Sequence, residues 1–246
     1  MRLAALIAFA VFLTIHAPVM GQTFDDPSVA YETALDAHRV GNYKVAIDLF
    51  RPLAERGFPS SQFALGYMYD EGQGVRQSDS KAVKWYGRAA EAGHTSAQYN
   101  LGLMYEGGKG VPQDYSEAIK WYRRASEKGA SVAQSKLGSM YEVGKGVAQN
   151  HSKAAKWYRK SARQGNTEAL TSLGYMYATG DNFRESPSVG YILLSLAVAR
   201  GQESAIKGRD LVIQLLTRQQ IARAQQLASE WEVGKPLPSP RDIDIR

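Results

Sequence analysis

The chain has 246 residues, a formal charge of +6 at pH 7 and no cysteine. The missing cysteine excludes disulfide staples and thiolate chemistry, and the length suffices for one elongated domain with a continuous core. The modest basic excess serves solubility first; beyond that it suits lipid headgroups, acidic polysaccharide or an acidic protein.

Residues 1–21 read as a secretory signal. Arg2 gives a positive start, Leu3 to Ile15 is an uncharged apolar run, and Val19-Met20-Gly21 puts small residues three before and one before a cut. The run is shorter than the roughly 20 residues a spanning helix needs. Retention as an N-terminal membrane anchor is the other reading. Cleavage after Gly21 leaves a mature chain from Gln22, periplasmic or secreted, which makes nucleic acid an unsuitable partner. No later apolar run reaches membrane length.

Downstream, one pattern recurs every 36 residues: Leu65-Gly66, Leu101-Gly102, Leu137-Gly138 and Leu173-Gly174, with Tyr69 and Gly72 returning in step. A fixed period of about 20–50 residues marks a solenoid, whose units bury their apolar faces on one another. The expected division is an N-terminal capping repeat over 22–59, repeats over 60–95, 96–131 and 132–167, a degenerate repeat over 168–203, capping helices over 204–231 and a flexible tail over 232–246.

The N-terminal cap carries Ala46, Leu49 and Phe50 on its second helix, which Pro52 is expected to kink. Each full repeat reads as two helices. The first has the stripe Ala64, Leu65, Met68 and Tyr69. Gly66 interrupts it at a cost of about 1 kcal/mol relative to Ala, so its recurrence implies close approach of a neighbouring helix. A loop with paired glycines follows, as in Gly72-Gln73-Gly74-Val75. Ser78, Asp114 and Asn150 are then suited to cap the second helix. That helix carries Ala82, Trp85, Tyr86 and Ala89 at i, i+3, i+4 and i+7, an amphipathic face. Gly57, Gly93, Gly129, Gly165 and Gly201 close the second helices. The fourth repeat departs at Leu193, Asn182 and Gly190, where the others have Trp, Gly and Ala. Beyond Gly201, Ile206, Val212, Ile213 and Leu216 line one capping helix. Thr217 with Gln220 caps another, which carries Ile221, Ala224, Leu227 and Trp231.

The string Leu-Gly-x-Met-Tyr-x-x-Gly-x-Gly-Val, then Ala-x-x-Trp-Tyr and the closing Gly, resembles the Sel1-like repeat, a relative of the tetratricopeptide repeat. The resemblance covers residues 28 to 201. It implies an all-α, right-handed α-solenoid of antiparallel helix pairs, doing adaptor or scaffold work in protein assemblies. It also implies, as alternatives, a part in exopolysaccharide synthesis or export, or membership of a cysteine-rich branch that binds or hydrolyses β-lactams. That branch relies on a disulfide in each repeat, which this chain cannot form.

Little in the chain recommends chemistry, and no enzyme activity and no cofactor are expected. Gly107-Gly108-Lys109-Gly110 lacks the Lys-Ser or Lys-Thr and the preceding strand of a phosphate loop. His38, His94 and His151 are far apart, with no ligand-spaced partner, and suit loop or cap positions better than a metal site. The candidate binding residues are those that vary between repeats. By analogy with tetratricopeptide repeats, Phe63 and Tyr67, Tyr99 and Leu103, Ser135 and Ser139, and Thr171 and Tyr175 fall on the concave side. Asp70, Glu106 and Glu142 form an acidic ladder, broken at Ala178. One reading is an aromatic groove edged with carboxylates that seats a protein segment carrying Lys or Arg, from a partner in the cell envelope. The other is that the aromatics pack partly into the core and the carboxylates form a solvated rim. On the second helices Lys84, Lys120 and Lys156 recur, with Arg88, Arg124 and Lys160 one turn on and Arg123 and Arg159 beside them. This row is either a solvated convex face or a contact for anionic membrane or acidic polysaccharide.

Overall fold

The computed structural model describes residues 26–180 and 185–243. The expected signal segment, its cleavage point and the Asn182 loop position lie outside the described residues. Among the described residues the chain is all helical, and consecutive helices pack in pairs. It divides into two compact units between Ala89 and Ala90.

The first unit holds α1 (Pro27–Arg39), α2 (Tyr43–Glu55), α3 (Pro59–Glu71) and most of α4 (Asp79–Glu91). Asp26 caps α1 through the Ser28 amide, and Asn42 caps α2 through that of Val45. Ala34, Ala46, Ile47, Phe50, Leu65 and Met68 form its core. The Tyr31 and Phe50 rings meet there with centroids 5.6 Å apart. Helix α2 runs on through Pro52 to Glu55. Proline there removes one donor, the one that would reach Asp48, and the last turn survives because Arg56 donates to the Pro52 carbonyl at 3.1 Å.

The second unit holds α5 (Thr95–Gly107), α6 (Tyr115–Glu127), α7 (Ser131–Val143), α8 (His151–Arg163), α9 (Thr167–Thr179), α10 (Pro187–Ala199), α11 (Ser204–Val212) and α12 (Arg218–Glu230). Asp114 and Asn150 cap α6 and α8 as expected, and Thr217 with Gln220 forms a reciprocal capping box on α12. Helix α10 replaces the Trp-Tyr pair with Leu193-Leu194, both fully buried.

The recurring first-helix glycine has a physical cause. A Cβ on Gly102 would lie 2.6 Å from Cε1 of Tyr122, and one on Gly138 would lie 2.6 Å from Cδ1 of Tyr158. Gly66 stands in the same way against Tyr86 in the first unit. Gly87 of α4 is the contrast: a Cβ there meets nothing within 4 Å and its φ is not positive. Gly87→Ala should therefore raise stability by about 0.5–1 kcal/mol, the helix propensity difference alone. A urea titration reads this as a raised midpoint; an unchanged or lowered midpoint would contradict it.

Two expectations for the C-terminal end are corrected. Ile206 is 39% exposed rather than on the packed face of α11, and Leu211 and Leu215 are exposed beside it; Ala205 and Val212 are buried, with Ile213 and Leu216 packed against the same core. The turn narrows to a 3-10 helix at Ile213–Leu215, and the rest of the expected stripe, Val212, Ile213 and Leu216, stays on the core. The described part of the tail is also not loose. The Gly234 amide donates to the Arg163 carbonyl at 2.7 Å, and the Trp231 indole N–H donates to the carbonyls of Lys235 and Pro236. Ile243 is buried in the core of this unit. Apolar anchors at Trp231, Leu237 and Ile243 outweigh the prolines and charges that suggested disorder.

Candidate binding face

Three first helices of the second unit, α5, α7 and α9, carry the expected variable positions. Tyr99 is half-buried, its ring centroid 5.8 Å from that of Tyr122, and Leu103 is half-buried against the same core. Ser135 is buried, Ser139 exposed and Thr171 intermediate. Tyr175 is 38% exposed, and its hydroxyl donates to the Ser204 carbonyl at 3.4 Å. In the first unit Phe63 lies 5.7 Å from the Tyr86 ring. Tyr67 there is 37% exposed beside His38. So the aromatics two before each Leu pack inward on the buried tyrosine, while the tyrosines two after remain accessible.

The acidic ladder is neither a free rim nor an isolated set of charges. Asp70 accepts from Tyr86 Oη at 3.2 Å, Glu106 from Tyr122 at 2.5 Å and Glu142 from Tyr158 at 2.7 Å. The phenol reaches back from the second helix to the last turn of the first, and so ties the two helices of each repeat together. Burial first, and then the neighbouring carboxylate, push the Tyr122 and Tyr158 phenols far above their ordinary value. In the fourth repeat both partners go together, to Ala178 and Leu194. Replacing both ends of a buried hydrogen bond by apolar groups avoids stranding either one.

Two recurring glutamines complete the scaffold, and the periodic reading did not single them out. Gln98 and Gln134 donate across to the carbonyls of Ala90 and Ser126, at 3.0 and 3.2 Å. Gln113 and Gln149 donate to the carbonyls of Glu106 and Glu142, each at 2.8 Å, near the end of the first helix. Their 36-residue recurrence was a visible signal.

Several variable positions line an open, polar cavity of about 330 Å³ in the second unit. Its walls are Ser135, Lys136, Ser139 and Glu142 of α7, Tyr158 of α8, Glu168, Thr171 and Ser172 of α9, and Gln202 and Ser204 at the start of α11. Of the expected binding residues it gathers Glu142 with Ser135, Ser139 and Thr171. Tyr175 borders it through its bond to Ser204. Tyr99, Leu103 and Glu106 do not line it. Sequence reasoning missed Lys136 and Glu168, although both break the period: Asn100 and Ser172 stand at the first position, Ser96 and Val132 at the second.

The basic row of the second helices is largely engaged with its own surface. Arg88 lies 4.7 Å over the Trp85 ring, Arg124 4.6 Å over Trp121 and Lys160 4.5 Å over Trp157. Lys120 pairs with Glu117 at 3.1 Å and Arg124 with Glu91 at 3.0 Å. Arg123 and Arg159 reach the hydroxyls of Tyr141 and Tyr177. Lys84 and Lys156 are exposed.

The histidines serve structure. His94 caps α5, accepting at Nδ1 from the Ala97 amide at 3.2 Å, and burial holds its pKa down, with Lys128 adding to the effect. His38 sits in the last turn of α1 rather than in a loop or at a cap, bonded to Gln73 at 2.7 Å and edge-on to Tyr43. His151 is the first residue of α8. Among the described residues no group of three His, Asp or Glu side chains could hold a metal ion, and no helix is long and apolar enough to cross a membrane.

The model of the Sel1 repeat family matches four successive segments, residues 59–94, 95–129, 131–166 and 167–202. The chain belongs to the Sel1 repeat family. A Sel1 repeat protein from Oxalobacter formigenes is similar at 32% identity and a TM-score of 0.68, over 72% of this chain and 70% of that one. A protective antigen of uropathogenic Escherichia coli strains, c5321, shares 26% identity with a TM-score of 0.57 over 88% of this chain. This chain covers 55% of the antigen's length. A Sel1 repeat protein from Klebsiella pneumoniae, at 21% identity and a TM-score of 0.50, shares the fold. Comparison with curated proteins gives no match. Sel1 repeats are typically non-catalytic scaffolds, and proteins built from them generally mediate protein–protein interaction.

Proposed function

We propose that this Sel1 repeat chain is an exported, non-catalytic adaptor, and that its second unit holds a partner protein of the cell envelope against the first-helix face. The observation that carries the reading is the cavity. Its walls are built largely from positions that break the 36-residue period, joined by one pair that keeps it, Tyr158 with Glu142, while the other positions that keep the period are spent on Gly–Tyr contacts and glutamine caps. Residues the stack does not need are the ones free to choose a partner. The apolar start at Leu3 to Ile15 supports export, with a mature chain beginning at Gln22.

Ser139 is exposed on α7, so Ser139→Trp fills the cavity mouth without entering the core. The mature chain should capture a partner from envelope extract, and the Ser139→Trp variant should capture about tenfold less, with helical content unchanged. Capture at the parent level would overturn the assignment of this face. The rival reading, contact with acidic polysaccharide or an anionic surface, draws on Lys84 and Lys156. It is weakened where Lys120 and Arg124 already face Glu117 and Glu91.

A further inference from the structure

We propose that the cavity of the second unit seats one basic side chain, a guanidinium or ammonium, presented by the partner protein. The inference rests on the reading that a protein docks on this face, and it names the chemistry of the docking.

Glu106 is already neutralised from inside: Tyr122 donates to its Oε2, and Lys136 Nζ stands 3.5 Å from the same oxygen. One period on, Glu142 keeps its tyrosine, Tyr158, but the position of Lys136 is taken by Ser172. Glu142 therefore has a phenol and no cation. Glu168 adds a second carboxylate to the same walls, at a position held by Ser96 and Val132 in the two preceding repeats. Neither Glu142 nor Glu168 pairs with a Lys or Arg among the described residues. The one cation in the wall, Lys136, is held by Glu106.

A second observation points the same way. Ser135 lines the cavity at 4% exposure, and its hydroxyl makes no hydrogen bond among the described residues. A hydroxyl that opens on the cavity and has no protein partner is free to accept from a ligand with several donors. The half-buried Glu142 and the exposed Glu168 on the same walls select a cation, which Glu142 would stabilise as a charge-assisted, hydrogen-bonded partner. The cavity, at about 330 Å³, lies at the small end of the range for ligand sites, about 300–1,000 Å³. That is room for a side chain and not for a folded surface.

The test uses the mature chain, isotope-labelled for amide NMR, titrated with the blocked tripeptide glycyl-arginyl-glycine and with its neutral citrulline counterpart. The arginine peptide should give saturable shifts at the Ser135, Ser139 and Thr171 amides, and the citrulline peptide should bind about tenfold more weakly. Glu168→Gln, an exposed position, should weaken the arginine peptide several-fold and leave helical content unchanged. Equal binding of the two peptides, no effect of Glu168→Gln, or shifts at these amides from a glutamate peptide or a neutral hexose instead would each overturn the proposal. Loss of partner capture by Ser139→Trp alongside any of those results would leave the docking reading standing and remove only the basic side chain. Arginine-peptide binding alongside undiminished capture by Ser139→Trp would assign the cation to a source other than the captured protein, and so overturn the proposal too.

Discussion

Gly138→Ala should lower the stability of the chain by about 1–3 kcal/mol, although alanine is the better helix former by about 1 kcal/mol. The added methyl would lie 2.6 Å from both Cδ1 and Cε1 of Tyr158 and 2.9 Å from Cγ. That ring cannot swing clear. It is buried, and its hydroxyl is tied to Glu142 at 2.7 Å. Relief needs a shift of α7 against α8, which also stretches the Tyr–Glu bond. For a chain of this size each 1 kcal/mol moves the melting temperature by about 2–4 °C, so the loss is readable by calorimetry or in a urea titration. Gly87→Ala is the matched control, because the same methyl there enters open space. The two substitutions should shift the midpoint in opposite directions. A stabilised Gly138→Ala would mean that the recurring glycine is not set by the tyrosine ring.

Alkaline pH should destabilise the protein steeply. Tyr122 and Tyr158 are buried and bonded to carboxylates, and both causes raise their pKa above the ordinary value of 10.0. A raised folded pKa gives stability that is whole below the unfolded value and is lost as pH climbs beyond it. Above about pH 10 the unfolded chain sheds these protons while the native chain keeps them, at a slope of about 1.4 kcal/mol per pH unit for each tyrosine. The two together give about 2.7 kcal/mol per unit between roughly pH 10 and 12. Tyr122→Phe should remove one share of that slope. It should also cost about 1.5–3 kcal/mol near neutrality, the loss of a hydrogen bond to a charged group. Lys136 keeps Glu106 from being stranded, which places the loss toward the lower end of that range. Urea midpoints taken across this window for parent and variant read both effects. Parallel pH profiles would show that the phenol is not held protonated by its neighbours.

Much of the architecture was legible because the period repeats whole constraints. Gly66, Gly102 and Gly138 recur with Tyr86, Tyr122 and Tyr158 twenty residues on, and the fold shows that the two are one contact. The joint loss of Glu and Tyr at Ala178 and Leu194 was legible too, as a pair of apolar substitutions in one repeat. The inward role of the acids was not. A carboxylate near a helix end reads as surface, and only the folded turn brings it to a phenol sixteen residues ahead. The cavity was half legible. Ser135, Ser139, Thr171 and Glu142 were placed together on one face, and they do line one cavity, but Gln202 and Ser204 join it from the loop before α11 and its first residue, where no recurring signal marks them. The tail failed for a related reason: docking through Trp231 and Ile243 depends on a surface made by helices far upstream in sequence.

Partner capture from envelope extract, with three forms of the mature chain side by side, tests the central claim most directly: the parent, Ser139→Trp, and Lys120→Glu combined with Lys156→Glu. The first-helix face predicts that Ser139→Trp loses the partner about tenfold while the double charge reversal retains it. Retention by Ser139→Trp with loss in the charge-reversed form would contradict it, and would assign binding to the basic second-helix face.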